Sequence, residues 1–379
     1  MMKKLSYKEK ILLHRKKRKY QKLLLAACLG ILLLAAVFFL VKKPRKATDP
    51  PQKPDAVQPS SEAESNPAAI PRLPDAEITV SLMGDCTLGT DQNFNYATSF
   101  NAYYDTQGAD YFFANVKSIL EADDLSIVNM EGTLTESTAR NGNKFAFKGA
   151  PEYARVLSGS SVEAANLANN HSHDYGDQSF EDTKNILKDA GITTFGYDDT
   201  AVMTVKGIKI GLVGIYELND HLERMQQLKG NIAKVKKDGA DLIITIFHWG
   251  NERETVPDSN QRTLAHTAVD YGSDLVIGHH PHVLQGIEEY HGKYIVYSLG
   301  NFCFGGNSAP SDMDTIIFQQ TFTIRNGEVL SDENINIIPC CISSASGYNN
   351  YQPTPAEGSE AERILQKLED LSSQVPSDY

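Results

Sequence analysis

The sequence predicts an α/β domain over residues 75–345, and three observations predict it. Short β-like apolar runs alternate with amphipathic helical patterns along this stretch, the arrangement of strands and helices packed in layers. Two hairpin patterns close it, which indicates a mixed sheet or a pair of sheets. Polar side chains able to bind metal or move protons also fall six times just past the end of a hydrophobic strand. That edge is where ligands bind in open α/β sheets. About 270 residues can bury ~75% of the surface their unfolded chain exposes, enough for one sizeable core.

In chain order, "AEITVSLMGD" is a strand leading to Asp85, and "GADYFFANVKSILEAD" reads as a helix with Phe112, Val116, Ile119 and Leu120 on one side. "DLSIVNMEG" is the next strand, ending in Asn129 and Glu131. "VEAANLANNH" delivers Asn169, Asn170, His171 and Asp174, before the helix "QSFEDTKNILKDAG", ended by Gly191. "VMTVKGIKIGLVGI" is a hairpin turning at Lys206 and Gly207. The helix "NIAKVKKDGA" precedes the strand "DLIITIFHWG", which delivers His248. The helix "NQRTLAHTAVDYG" precedes "DLVIGHHPH", which delivers His279, His280 and His282. The hairpins "IEEYHGKYIVYSLGNF", ending near Asn301, and "FQQTFTIRNGEVLSDENINIIP" complete the domain. In the acidic tail, residues 346–379, a short helix is expected over about 359–373. Ser359 and Glu362 fit a capping box, and Ile364, Leu365, Leu368 and Leu371 share one face expected to dock on the chain's own domain.

The N-terminal part reads differently. Residues 1–22 form a basic segment with ten Lys or Arg against one acid, followed by 19 uncharged apolar residues at 23–41. As a helix this run spans about 28 Å at ~1.5 Å per residue, close to the ~30 Å core of a bilayer. A signal peptide has a shorter apolar region and a small-residue cleavage site, which "LVKKPRKATD" lacks. "LAAC" at residues 25–28 resembles a lipoprotein box, but most of the apolar run follows Cys28 instead of preceding it. An uncleaved transmembrane anchor is therefore expected, with the N-terminus cytoplasmic and the C-terminal domain outside the cell. Residues 42–74, rich in Pro, Lys, Asp, Glu, Ser and Ala, are expected to be an extended linker reaching up to ~90–100 Å.

Charge and cysteines narrow the function classes. Residues 1–46 hold 14 basic and one acidic residue, so with a total of −12 the rest of the chain carries −25. That sign argues against nucleic acid, whose phosphates are held by Lys and Arg, and against a purely electrostatic grip on an anionic polymer. Five cysteines, one of them Cys28 in the apolar run, do not make a disulfide framework in a chain with so large a domain; small core residues are expected.

The donors at the strand ends suggest a chemistry. Histidines, carboxylates and an Asn amide form a mixed nitrogen and oxygen set that suits Mn²⁺, Zn²⁺ or Fe²⁺. His280 and His282 alternate along one loop or strand end, so both imidazoles project to the same side. One such cation lowers the pKa of bound water, and two can hold both oxygens of a phosphoryl transfer. G-x-S-x-G, P-loop and H-E-x-x-H patterns are absent from the sequence. For each position a plainer role stands beside the chemical one: hydrogen bonding for His248, His280 and His282, and helix capping for His171 with Asp174 and for Glu131. His279 and His173 are expected to support other residues or lie at the surface. Trp249 could wall the site or fill the core, Glu252 orient His248 or face solvent, and Asn301 stabilise a turn. Lys144 and Lys148 could meet an anionic substrate.

The ordered motifs "MGDCTLG", "NMEGTLT", "LANNHSHDYG", "FHWGNE", "VIGHHPHVLQGIE" and "YSLGNFCF" resemble those of the CapA/PgsA family of bacterial poly-γ-glutamate capsule synthesis. The resemblance implies a calcineurin-like metallophosphoesterase fold, a four-layer αββα sandwich with a dinuclear site between loops. It implies one or two divalent metal ions (Mn, Zn or Fe) held by Asp85, Glu131, Asn170, His248, His280 and His282, with His171 oriented by Asp174 as the acid or phosphate-binding group. Two positions depart from the phosphoesterase pattern: Asp85-Cys86-Thr87 lacks the histidine of D-x-H, and Glu131 stands where those enzymes have Asp. The implied function is a part in the biosynthesis, export or attachment of poly-γ-glutamate or a related anionic surface polymer, beside membrane synthase subunits. Two molecular roles fit: a metal-dependent phosphoesterase or hydrolase, or a non-catalytic polymer-binding subunit.

Overall fold

The computed structural model describes residues 73–330 and 334–376. The expected anchor, residues 23–41, and nearly all of the linker, residues 42–74, lie outside these. Among the described residues no helix is long and apolar enough to cross a membrane.

Two mixed sheets carry the fold. In the first, parallel strands Ala76–Thr87, Leu125–Met130, Ala164–Asn166 and Thr193–Phe195 lie side by side, and Asp314–Arg325 and Ile335–Cys341 extend the sheet antiparallel from the other edge of Ala76–Thr87. In the second, parallel strands Ile208–Tyr216, Leu242–His248, Leu275–His279 and Lys293–Val296 are flanked by Ala201–Val205 and Ile287–Tyr290, both antiparallel. The predicted hairpin turn is there, with Lys206 and Gly207 both at positive φ, 49° and 82°, as a two-residue type I′ connection requires.

Strand periodicity explains how the sheets stack. Along Ala76–Thr87, Ile78, Val80 and Leu82 enter a core shared with Ile244, Ile246 and Ile277 of the second sheet. Alternate residues of the strands turn outward. Met83 and Val128 meet Phe112 and Leu187 on the outer face of the first sheet, and Val213 and Phe247 meet Leu228, Ile232 and Leu264 on that of the second. Strands buried on both faces read as nearly continuous apolar runs, which is why "LSIV" and "LIITIF" are so uniform. Helices Asp177–Asp189, Met225–Lys237 and Ser259–Asp270 cover these outer faces.

The tail helix Gly358–Ser372 docks on its own domain, as expected. Ile364, Leu368 and Leu371 close one end of the core between the sheets. Lys367 Nζ bonds Asp314 at 2.7 Å, and Arg363 Nη1 donates to the same carboxylate at 2.9 Å. The capping box expected there does not form: the helix starts at Gly358 after Glu357, so Ser359 already lies inside its first turn. A capping box exists instead at Asp258 and Gln261. The helix expected over "GADYFFANVKSILEAD" breaks into a 3-10 turn, Ala109–Tyr111, and a short helix, Lys117–Leu120. Adjacent Phe112 and Phe113 are both fully buried, and the Asn115 amide is drawn to Thr354 at 2.8 Å. A single helical face cannot satisfy that demand.

A candidate metal centre between two sheet edges

Strand register assembles the site. Across the first sheet Asn301, Asp85, Asn129 and Asn166 stand on neighbouring strands as direct partners. Across the second, Tyr216, His248 and His279 do the same. These two polar rows meet at the carboxyl ends of the parallel strands. Gly84 permits this, because a Cβ there would lie 2.2 Å from the Gly300 carbonyl oxygen, on the loop leading into the Asn301–Phe304 strand.

The rows are bonded across the sheets. Asp85 Oδ1 accepts from Asn129 Nδ2 at 2.8 Å and lies 3.0 Å from His279 Nδ1. Asp85 Oδ2 accepts from the His280 backbone N–H at 3.3 Å and lies 3.3 Å from His282 Nδ1. Asn129 also reaches His248 Nδ1 at 3.2 Å, and its own oxygen accepts from Asn166 at 2.8 Å. His248 Nε2 meets Asn170 Oδ1 at 2.6 Å. Asn301 Oδ1 lies 2.9 Å from His282 Nδ1.

One part of this network is unsatisfied. Glu131 is fully buried, and neither carboxylate oxygen has a hydrogen-bond partner. The imidazole nitrogens His248 Nε2 and His282 Nε2 stand 3.7 and 3.8 Å from Oε1, beyond hydrogen-bonding distance. His280 Nδ1 is likewise buried and unpartnered. Among the described residues, Glu131, His280 and His282 bring one ligand atom each within 4.8 Å of one another. A buried acceptor without a partner costs about 1–3 kcal/mol, so these atoms fit a cation better than they fit one another. Backbone strain agrees: His280 and His282 hold φ at 95° and 57°, conformations that L-residues rarely adopt and that gather at ligand sites.

Burial sets the electrostatics. It pushes the Glu131 carboxyl above its usual value, and the Asp85 charge adds to this. It drives the His248 imidazole well below its ordinary value and His280 down to about 3, so both are neutral donors. For Asp85 burial opposes ionisation, but His279 and His282 outweigh it and hold the carboxyl well below the usual range. His171 stands at the cavity beside the centre, its ring 4.5 Å from that of Phe147. Burial opposes its charge, yet the Asp174 carboxylate 2.7 Å from Nδ1 raises its pKa. Asp174 is fixed in turn by the Phe147 backbone N–H at 2.6 Å.

Every residue singled out for metal or acid chemistry thus comes to this one place, with differences of position. Both Asp85 oxygens are engaged inside the protein, so Asp85 holds the histidine loop while Glu131 presents open oxygens. His279 supports Asp85 from a buried position, the first of the two roles expected for it; His173 is half-buried, bonding Asp177 at 3.1 Å. Trp249 is core, stacked on Phe247 and 2.9 Å from the Tyr297 carbonyl. Glu252 is exposed on the cavity rim and not against His248; Lys144 also lines the cavity, whereas Lys148 bonds the Ser137 carbonyl. Sequence reasoning gave Asn129 no role and passed over Asn166; both end parallel strands of small or apolar residues, the same signal that marked Asp85.

Comparison with known proteins matches residues 79–306 to the family described as bacterial capsule synthesis protein PGA_cap. The chain is 28% identical over 263 residues to the capsule biosynthesis protein CapA of Bacillus anthracis, and 29% over 259 residues to the PGA biosynthesis protein CapA of Bacillus subtilis. These alignments take in 62% and 61% of this chain and 62% and 64% of the relatives, so it spans a little under two thirds of their length. A "Probable polyglutamine synthesis accessory protein" of Mycobacterium tuberculosis is 26% identical over 211 residues, 48% of this chain and 55% of that protein. Among solved structures, a hypothetical protein from Thermus thermophilus superposes with a TM-score of 0.44 at 13% identity, covering 69% of this chain and 98% of that one. The sulfate thiohydrolase SoxB of the same organism gives 0.39 at 12%, covering 78% and 60%. With three-fifths of its length matched to one family and relatives of the same description, the chain belongs to the bacterial capsule synthesis protein PGA_cap family.

Proposed function

We propose that this chain takes part in making, exporting or attaching poly-γ-glutamate or a related anionic surface polymer, through a divalent-metal centre of metallophosphoesterase type. The observation that carries the reading is the pair of buried, unpartnered Glu131 oxygens beside the unpartnered His280 Nδ1. Glu131, His280 and His282 would hold the cation, with His248 and Asn170 adjoining and Asp85 and Asn129 fixing the loops. A divalent ion bound there acts as a Lewis acid and lowers the pKa of a coordinated water. His171, its Nδ1 fixed by Asp174 and its pKa raised, is suited to keep a proton on Nε2 for a leaving oxygen. A hydrolase or transferase acting on a phosphoester or amide of the polymer follows. Residues 23–41 would anchor the chain in the membrane beside synthase subunits, with the described domain outside the cell.

A second reading, a polymer-binding subunit without turnover, is favoured by Asp85: its engaged oxygens leave one cluster of open donors among the described residues. Metal analysis of the purified full chain, with hydrolysis assays on a phosphodiester and on γ-glutamyl polymer, separates the two. Bound metal with turnover lost in His171→Ala supports the enzyme; bound metal without turnover supports the binding subunit. Preparations free of divalent metal after growth and purification in Mn²⁺, Zn²⁺ and Fe²⁺ exclude both.

A further inference from the structure

Two cavities meet beside the centre. The smaller, of 340 Å³, has His171, His282 and Asn301 on one side and Lys144, Phe145 and Phe304 on the other. The larger, of 790 Å³, runs past Asp314, Arg363 and Lys367 toward the tail helix. Arg253, Val283, Pro310, Ser311 and Asp312 line both, so the two form one groove. A volume of a few hundred cubic ångströms suits a single small unit; the larger space continues from it.

Arg253 stands at the junction and is unusual in two respects. Its φ is 67°, a conformation that strains a residue with a Cβ and persists only where its surroundings enforce it. Its backbone N–H donates to the Pro281 carbonyl at 2.8 Å, which ties it to the loop between His280 and His282. The residue is exposed, and among the described residues no hydrogen bond or ion pair engages its guanidinium. Arg363 and Lys367 differ, since both are paired with Asp314. Glu252 and Asp312 share the groove's walls, so its charge is mixed and a polyanion is not held there by net field. A fixed guanidinium fork, by contrast, matches a carboxylate with two parallel hydrogen bonds.

The geometry points to an extended oligo-carboxylate, a γ-linked glutamyl chain, lying along this groove with its end unit in the smaller cavity and one carboxylate held by Arg253 at the junction. This assignment rests on the polymer reading above and adds to it a binding residue, a path and a direction along the fold.

The test uses the full chain and fluorescein-labelled γ-linked glutamate oligomers of two, four and eight units, followed by anisotropy with and without chelator. Metal content is measured on every sample. For the wild type, affinity should rise from two units to eight. Arg253→Gln should weaken the longer oligomers about ten- to a hundredfold, the range for a lost hydrogen bond to a charged group, with metal content unchanged. Arg253→Lys should recover part of the loss. If Arg253→Gln binds the oligomers as the wild type does, the groove assignment fails while the polymer reading stands. If the wild type ignores γ-glutamyl oligomers but binds polyphosphate through Arg253, the proposed polymer is wrong. If neither polyanion binds, both fall.

Discussion

Glu131→Gln tests the central claim about the site most directly, because it keeps the side-chain volume and removes only the carboxylate. In the protein without metal, two buried oxygens have no partner, and unsatisfied acceptors of this kind cost about 1–3 kcal/mol each. Removing that charge should leave metal-free stability unchanged or raised. A cation at a hundred times its Kd stabilises the folded state by about 2.7 kcal/mol, and for a domain of this size each kcal/mol moves Tm by ~2–4 °C. Wild-type Tm should therefore rise by about 5–10 °C on adding the cognate divalent ion, and the variant should lose most of that rise. Thermal unfolding of the full chain in chelator and in Mn²⁺, Zn²⁺ or Fe²⁺ reads this out. A variant whose metal-free Tm falls as far as its metal-loaded Tm would show that Glu131 is an ordinary internal partner, and a wild type indifferent to all three ions would refute the site.

Three further outcomes follow from the packing. Leu368→Ala, at a fully buried contact of the tail helix, should destabilise the domain by about 2–5 kcal/mol, measured as the urea midpoint; a shift below ~0.5 kcal/mol would mean that the helix is dispensable. Burial pushes the Asp314 carboxyl up, but the hydrogen bonds from Arg363 and Lys367 outweigh it and hold its pKa below the ordinary value. Its contribution is therefore complete above the unfolded value of ~3.9 and lost as pH falls through the lower folded value. Acid unfolding followed by the single tryptophan, Trp249, should show Asp314→Asn less stable than wild type at pH 7, the difference closing in strong acid. Gly278→Ala would put a Cβ 2.0 Å from the Tyr297 carbonyl and 2.3 Å from Trp249 Nε1. It should cost about 1–3 kcal/mol and displace His279 and His280, lowering bound metal along with Tm; a variant with full metal content would contradict this.

Much of the fold was legible because burial on both faces leaves a plain trace. Uniform apolar strands ending in a polar residue showed where strands stop and where the site lies, and Lys206-Gly207 announced its own hairpin. Local signals failed where distant contacts decide. Asn115 is drawn to Thr354, 239 positions away, and no helical period anticipates that pull. Ser359 and Glu362 have the right spacing for a cap, but the helix begins one residue earlier, at Gly358, so Ser359 is already helical and cannot cap it. Within the site, residue types could be read but their division of labour could not. That Asp85 is saturated and Glu131 is open depends on Asn129 and His279 arriving in register from two different sheets.

The bond between Asp85 and His279 joins residues 194 positions apart in the chain. Pairings this distant form late, after shorter-range contacts have closed the intervening loops. A copy clipped or still unfinished before residue 275 would own Asp85, Glu131 and Asn170 but lack the imidazoles that complete the pocket. On the proposed function, ion capture would double as a check of completeness: only an intact, fully folded molecule would become loaded, and fragments released by proteolysis on either side would stay inert.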